Sequence, residues 1–122
     1  MASKQEIPVL VSAENLCAHT MKICNNINNF PKKWRYTLVD RTINATLDIR
    51  QYINEANHES GEERIYCIDK SIRSCEDLKF YIKLCHEVLH PQCSIPYWDE
   101  MVENIEKQLH NWKSYTRKQL KT

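Results

Sequence analysis

The chain has 122 residues, 42% hydrophobic and 27% charged, and its 17 basic and 16 acidic side chains leave a net charge of +1. That length suffices for one domain with a buried core, and near-neutrality means that a nucleic-acid partner must be judged from the distribution of charge. The single glycine is the most restrictive figure: average usage of about 7% would give roughly eight or nine, so phosphate-cradling loops of the Walker or dinucleotide-binding type and most turn-rich β folds are excluded.

The first helix is expected over about residues 8–29, where Leu10, Leu16, Cys17, Met21, Cys24 and Ile27 recur at three- and four-residue steps. Pro8 suits a first helical turn and Pro31 stops the helix, because the residue before a proline avoids the helical region. A second helix over about 36–57 carries Leu38, Ile43, Leu47, Ile53 and Ala56 on its apolar stripe. His58-Glu59-Ser60-Gly61 then interrupts the pattern, and Gly61 alone takes positive φ without cost. The third helix spans about 62–90 and ends at Pro91. The fourth, about 96–120, places Met101, Ile105, Leu109 and Trp112 on one face. Short connections make successive helices antiparallel. The expectation is a single all-α domain over residues 1–122, an up-down-up-down four-helix bundle. The glycosylation-like triplet Asn44-Ala45-Thr46 falls in mid-helix and is set aside.

On the third helix Ile68, Cys75, Leu78, Ile82, Cys85 and Leu89 form one stripe, and Tyr81, Leu84 and Val88 widen it to an arc of roughly 200° where one bundle core needs about 100°. Either another subunit covers the excess, with Tyr66, Phe80 and Trp98 on the same surface, or a central helix is buried on two sides. The six cysteines contain no C-x-x-C pair and read as buried thiols acting as small hydrophobes rather than as disulfides. With no basic-then-apolar leader and no apolar run near about 18 residues, a cytoplasmic chain without a membrane span is expected.

Residues 86–90 spell His86-Glu87-Val88-Leu89-His90, the H-E-x-x-H string that holds zinc between two imidazoles one turn apart, with the glutamate as general base. Its context opposes that chemistry. Pro91 ends the helix at the second histidine, no third ligand follows at a fixed spacing, and Cys93 or Glu103 would have to be recruited from elsewhere. No strand pattern offers a substrate edge. A zinc metallopeptidase is kept only as a remote alternative, and no catalytic residue, metal or cofactor is assigned.

Charge gives a different picture. Lys79, Lys83, His86 and His90 recur at i, i+4, i+7 and i+11, a cationic strip flanked by Glu76 and Glu87. It suits an acidic partner surface or a phosphate backbone, or else is a solvated helix edge. Lys32-Lys33-Trp34-Arg35-Tyr36 interleaves cations with aromatics, as phosphate contact plus base stacking requires. The fourth helix begins with Asp99, Glu100, Glu103 and Glu106 and ends with Lys107, Lys113, Arg117, Lys118 and Lys121. Macrodipole complementarity explains part of that polarity, and the basic tail exceeds it. Lys32, Lys33, Arg35, Lys113, Arg117, Lys118 and Lys121 are therefore candidate nucleic-acid contacts.

The segment Phe30-Pro31-Lys32-Lys33-Trp34-Arg35-Tyr36-Thr37-Leu38 resembles the P-K-x-x-R-(Y/F)-x-L opening of the second helix in small four-helix-bundle proteins. That group includes proteins encoded in 23S rRNA intervening sequences and the accessory variability determinant proteins of diversity-generating retroelements. Asp77-Leu78-Lys79-Phe80-Tyr81-Ile82-Lys83-Leu84 is similar to the latter's pattern of two basic residues four apart among large apolar ones. Ile105-Glu106-Lys107-Gln108-Leu109-His110-Asn111-Trp112-Lys113-Ser114 is similar to their I-G-x-x-L-x-x-W-x-x-S ending, with Glu106 and His110-Asn111 where many relatives carry glycines. The resemblance covers about residues 8–118. It implies a non-catalytic, cytoplasmic, barrel-like homopentamer that binds a reverse transcriptase and its template RNA and supports mutagenic cDNA synthesis. By position, Lys79 and Lys83 fall on the pair implicated in reverse-transcriptase contact. The alternative is a bundle of the 23S rRNA intervening-sequence type with no reverse-transcriptase partner.

Overall fold

The computed structural model describes residues 7–121. Among them are four α-helices and no strand: α1 Pro8–Cys24, α2 Asp40–His58, α3 Gly61–Leu89 and α4 Ile95–Leu120. Each helix packs on two neighbours, α1 on α2 and α4, and α3 on α2 and α4, so the four close into a ring. Side-chain bonds fix the directions. Glu14 meets Arg50 while Cys17 meets the Thr46 carbonyl, so α1 and α2 run antiparallel. Thr20 with Trp98 and Ser12 with Gln108 make α1 and α4 antiparallel. Ser71 with Ile49 and Thr42 with Cys85 do the same for α2 and α3, as do Lys79 with Glu106 and Asp69 with Lys113 for α3 and α4.

The core is aliphatic and thiol-rich. Leu16, Ile49, Ile53, Ile68, Cys75, Leu78, Ile82, Cys85, Val102, Ile105 and Leu109 are fully buried, which is the expected behaviour of thiols as small hydrophobes. All six cysteines are free. Thr42 and Thr46 lie inside the bundle and return their hydroxyls to the Leu38 and Thr42 carbonyls at 2.7 and 2.9 Å, so burying them leaves no donor unpaired.

Two helix ends depart from the expectation. α1 stops at Cys24 and not near residue 29, because the asparagines that follow divert the backbone. The Asn26 side chain accepts the Asn28 N–H at 3.0 Å, and the Asn26 carbonyl accepts from Asn29 and Phe30 at 3.1 and 2.8 Å. Asparagine competes in this way with helical bonding. The second difference lies before α2. Lys32–Trp34 forms one 3₁₀ turn, and Arg35–Val39 continues as a π-helical segment into Asp40. A π turn holds an extra residue and is found disproportionately at functional positions.

The other ends follow from single residues. Gly61 has φ +60 at the start of α3, a conformation that favours glycine. His90 closes α3 in the left-handed region at φ 47, a place glycine or asparagine usually occupies. Ser94 caps α4 by accepting the Tyr97 N–H at 3.2 Å. Trp98, grouped with Tyr66 and Phe80 on an outer surface in the reading where another subunit covers it, is instead wholly buried at the start of α4, edge-on to Phe30 with centroids 6.5 Å apart.

Candidate functional site

The antiparallel order divides the candidate basic residues between opposite ends of the bundle. Lys32, Lys33 and Arg35 sit where α1 ends and α2 begins, while Lys113, Arg117, Lys118 and Lys121 lie on the last turns of α4 and beyond. The 26 residues of α4 span about 39 Å at 1.5 Å per residue, so these clusters cannot form one patch. The α4 tail also meets acids. Lys113 pairs with Asp69, and Leu120 Cδ2 lies 3.4 Å from where a Cβ on Gly61 would stand, bringing the end of α4 beside Glu62 and Glu63.

The other end is different. Between Leu16 and Leu47 the sequence carries Lys22, Lys32, Lys33, Arg35 and Arg41 against a single acid, Asp40. Phe30, Leu38 and Val39 are buried and anchor the connection, which leaves Lys32, Lys33, Arg35 and Tyr36 exposed, Tyr36 by 84%. Lys33 lies over the Trp34 ring at 5.7 Å. Arg35 lines a pocket of about 220 Å³ together with Asn25, Phe30, Val39, Asp40 and Ile43. Neither Asn25 nor Asp40 is singled out by composition or motif; the π-helical segment that brings Arg35 to them is invisible to periodicity.

The cationic strip of α3 faces the acidic half of α4. Lys79 Nζ lies 2.9 Å from Glu106 Oε1, and the Lys79 side chain retains 40% exposure. That bond, with Glu103 and Asp99 nearby, raises the Lys79 pKa. Burial, reinforced by Glu103, raises that of Asp99. The polarity of α4 thus has a tertiary cause beyond the macrodipole. Lys83, one turn on, is exposed and makes no ion pair among the described residues. Beside this strip Phe80 and Val88 face outward, Phe80 55% exposed, while Leu84 between them is half-buried against the core. Tyr66 is exposed nearer the start of α3 and lies 4.4 Å from the Lys70 ammonium.

The H-E-x-x-H string bends at its last residue. His86 is on α3 but His90 is the left-handed residue beyond it, and the two rings stand edge to face with centroids 6.3 Å apart. Among the described residues no group of three or more His, Cys, Asp or Glu side chains gathers where a metal ion could sit. Burial holds the thiols in their protonated form: the Cys24 pKa is pushed up to about 12 and that of Cys85 to about 11, and Cys75 is also raised. A thiol so protonated is a poor nucleophile. Among the described residues no helix is long and apolar enough to cross a membrane. No protein-family model, curated protein or solved structure matches the chain.

Proposed function

We propose that the chain is a non-catalytic accessory protein of the kind found in diversity-generating retroelements. In this reading it binds a reverse transcriptase and template RNA as a homo-oligomer, a pentamer by the family resemblance. The observation that carries the reading is the connection from Phe30 to Leu38. Its apolar residues are locked into the bundle while its three cations and Tyr36 stay at the surface, the division of labour that phosphate contact and base stacking require. The order of the sequence motifs along the four helices supports the same assignment.

Lys83, exposed one turn from Lys79, suits the reverse-transcriptase contact, and the exposed Phe80 and Val88 suit a second copy of the chain. The Lys32–Arg35 end is favoured for RNA contact, because Lys113 of the α4 tail is already paired with Asp69. The test is co-expression with the reverse transcriptase from the same genomic neighbourhood. Wild-type protein should co-purify with that enzyme and with RNA, and Lys83→Glu should release the enzyme while the protein keeps its helicity. Retention of the enzyme by Lys83→Glu would remove that residue from the contact, and failure of the wild type to co-purify would refute the reading.

A further inference from the structure

The pocket beside Arg35 holds a pairing of groups that charge alone does not require. The Arg35 guanidinium and the Asp40 carboxylate both line it, yet they form no ion pair within 4.0 Å. No hydrogen bond within the described residues occupies either side chain. An unpaired cation and anion facing one concavity leave room for a ligand that offers acceptors to one and donors to the other. Phe30, Val39 and Ile43 supply apolar wall, and Asn25 adds an amide at the rim. At about 220 Å³ the pocket falls below the roughly 300–1,000 Å³ of sites for drug-sized ligands, so it suits a single heterocycle rather than a whole nucleotide.

We infer that this pocket receives an unpaired guanine base of the bound RNA, an inference that rests on the RNA reading above and adds its base specificity. Guanine alone among the four bases presents two adjacent acceptors, O6 and N7, on one edge and two adjacent donors, N1–H and the N2 amino group, on another. A guanidinium matches the first pair in bidentate fashion. A carboxylate matches the second by accepting two parallel hydrogen bonds. Adenine offers a donor beside N7 and has no two-donor edge for Asp40. Lys32 and Lys33, on the turn immediately before, lie where the flanking phosphates would run, and Tyr36 offers an exposed ring for stacking a neighbouring base. Unpaired bases are what single-stranded loops and ends present.

Fluorescence anisotropy with labelled 12-nucleotide single-stranded RNAs tests this directly. The strands are oligoadenylates with a central guanine, a central adenine or a central abasic site. The full chain should bind the guanine strand about tenfold more tightly than either other strand, the discrimination of one good bidentate contact. Asp40→Asn should reduce the preference for the guanine strand, and Arg35→Gln with Asp40→Asn should bring the three affinities together at the level of the abasic strand. Lys32→Gln with Lys33→Gln should weaken all three and flatten the salt dependence. Equal wild-type affinity for the guanine and adenine strands would overturn the guanine pocket and leave the RNA reading standing. Absence of binding to every strand at low salt would overturn both. The wild-type comparison decides the matter even if Asp40→Asn proves unstable.

Discussion

The indole nitrogen of Trp98 donates to the Thr20 hydroxyl at 3.0 Å in a fully buried setting, joining the first turn of α4 to the last turn of α1. Residues 78 apart in sequence are thereby fixed in register where Phe30 packs edge-on to the same indole. Thr20→Val keeps the shape and removes the acceptor, leaving a buried N–H unpaired. The expected cost is about 1–3 kcal/mol, measured by urea unfolding followed by tryptophan fluorescence.

Two residues with positive φ should respond in opposite directions. Gly61→Ala meets no clash, with Leu120 Cδ2 at 3.4 Å from the new Cβ, but must hold φ +60. It should destabilise by about 1 kcal/mol. His90→Gly relieves the same strain at φ 47 and should stabilise by a few tenths to about 1 kcal/mol. Thermal midpoints of the two variants against wild type check both signs.

The Lys79–Glu106 bridge constrains how the α3 strip can be probed. With the lysine side chain 40% exposed and Glu106 more enclosed at 14%, the pair is worth about 0.5–1 kcal/mol after solvent screening. Lys79→Glu alone places two carboxylates together and should destabilise. Lys79→Glu with Glu106→Lys restores the bridge with its polarity exchanged. Stability should return in the double variant, while a partner that reads the cation at position 79 should still be lost. Chemical denaturation and co-purification report these two effects separately.

The buried thiols set an alkaline limit. A group whose folded pKa lies above its unfolded value holds its proton more tightly when folded. That stability is complete below the unfolded value of 9.0 and is lost as pH rises through about 11 for Cys85 and about 12 for Cys24. Melting temperature should therefore fall from pH 9 upward, and Cys85→Ala should show a shallower fall despite its lower starting stability. At pH 8 a disulfide exchange reagent should titrate the half-buried Cys17 and Cys93 first, and all six thiols only in denaturant.

The bundle was legible because its breaks are chemically loud. Pro31, Gly61 and Pro91 interrupt four long apolar repeats, and the faces carrying Ile82, Cys85, Ile105 and Leu109 are the ones the core buries. Asn25 and Asn26 were quieter: their effect on α1 depends on a side chain accepting a backbone N–H, which no periodicity records. An aromatic near a helix start reads the same whether it faces inward or outward, and only the Thr20 acceptor shows that Trp98 faces inward. The α3 strip and the acidic half of α4 were each visible separately. Their mutual pairing required knowing that the helices run side by side in opposite directions. Asp40, one acid among cations, forms no pattern in the sequence.

The extra residue held in Arg35–Val39 has a geometric consequence for how such a surface can arise or disappear. Deleting one position there, so that the π turn relaxes to an ordinary helix, would rotate everything before it by about 100° relative to α2. Lys32, Lys33 and Arg35 would keep their identities and spacing yet be aimed at a different part of the surroundings. Comparison of related chains by charge alone would score the two forms as equivalent. A one-residue difference in length between Phe30 and Asp40 is therefore a more informative marker of an altered partner than the exchange of one basic residue for another.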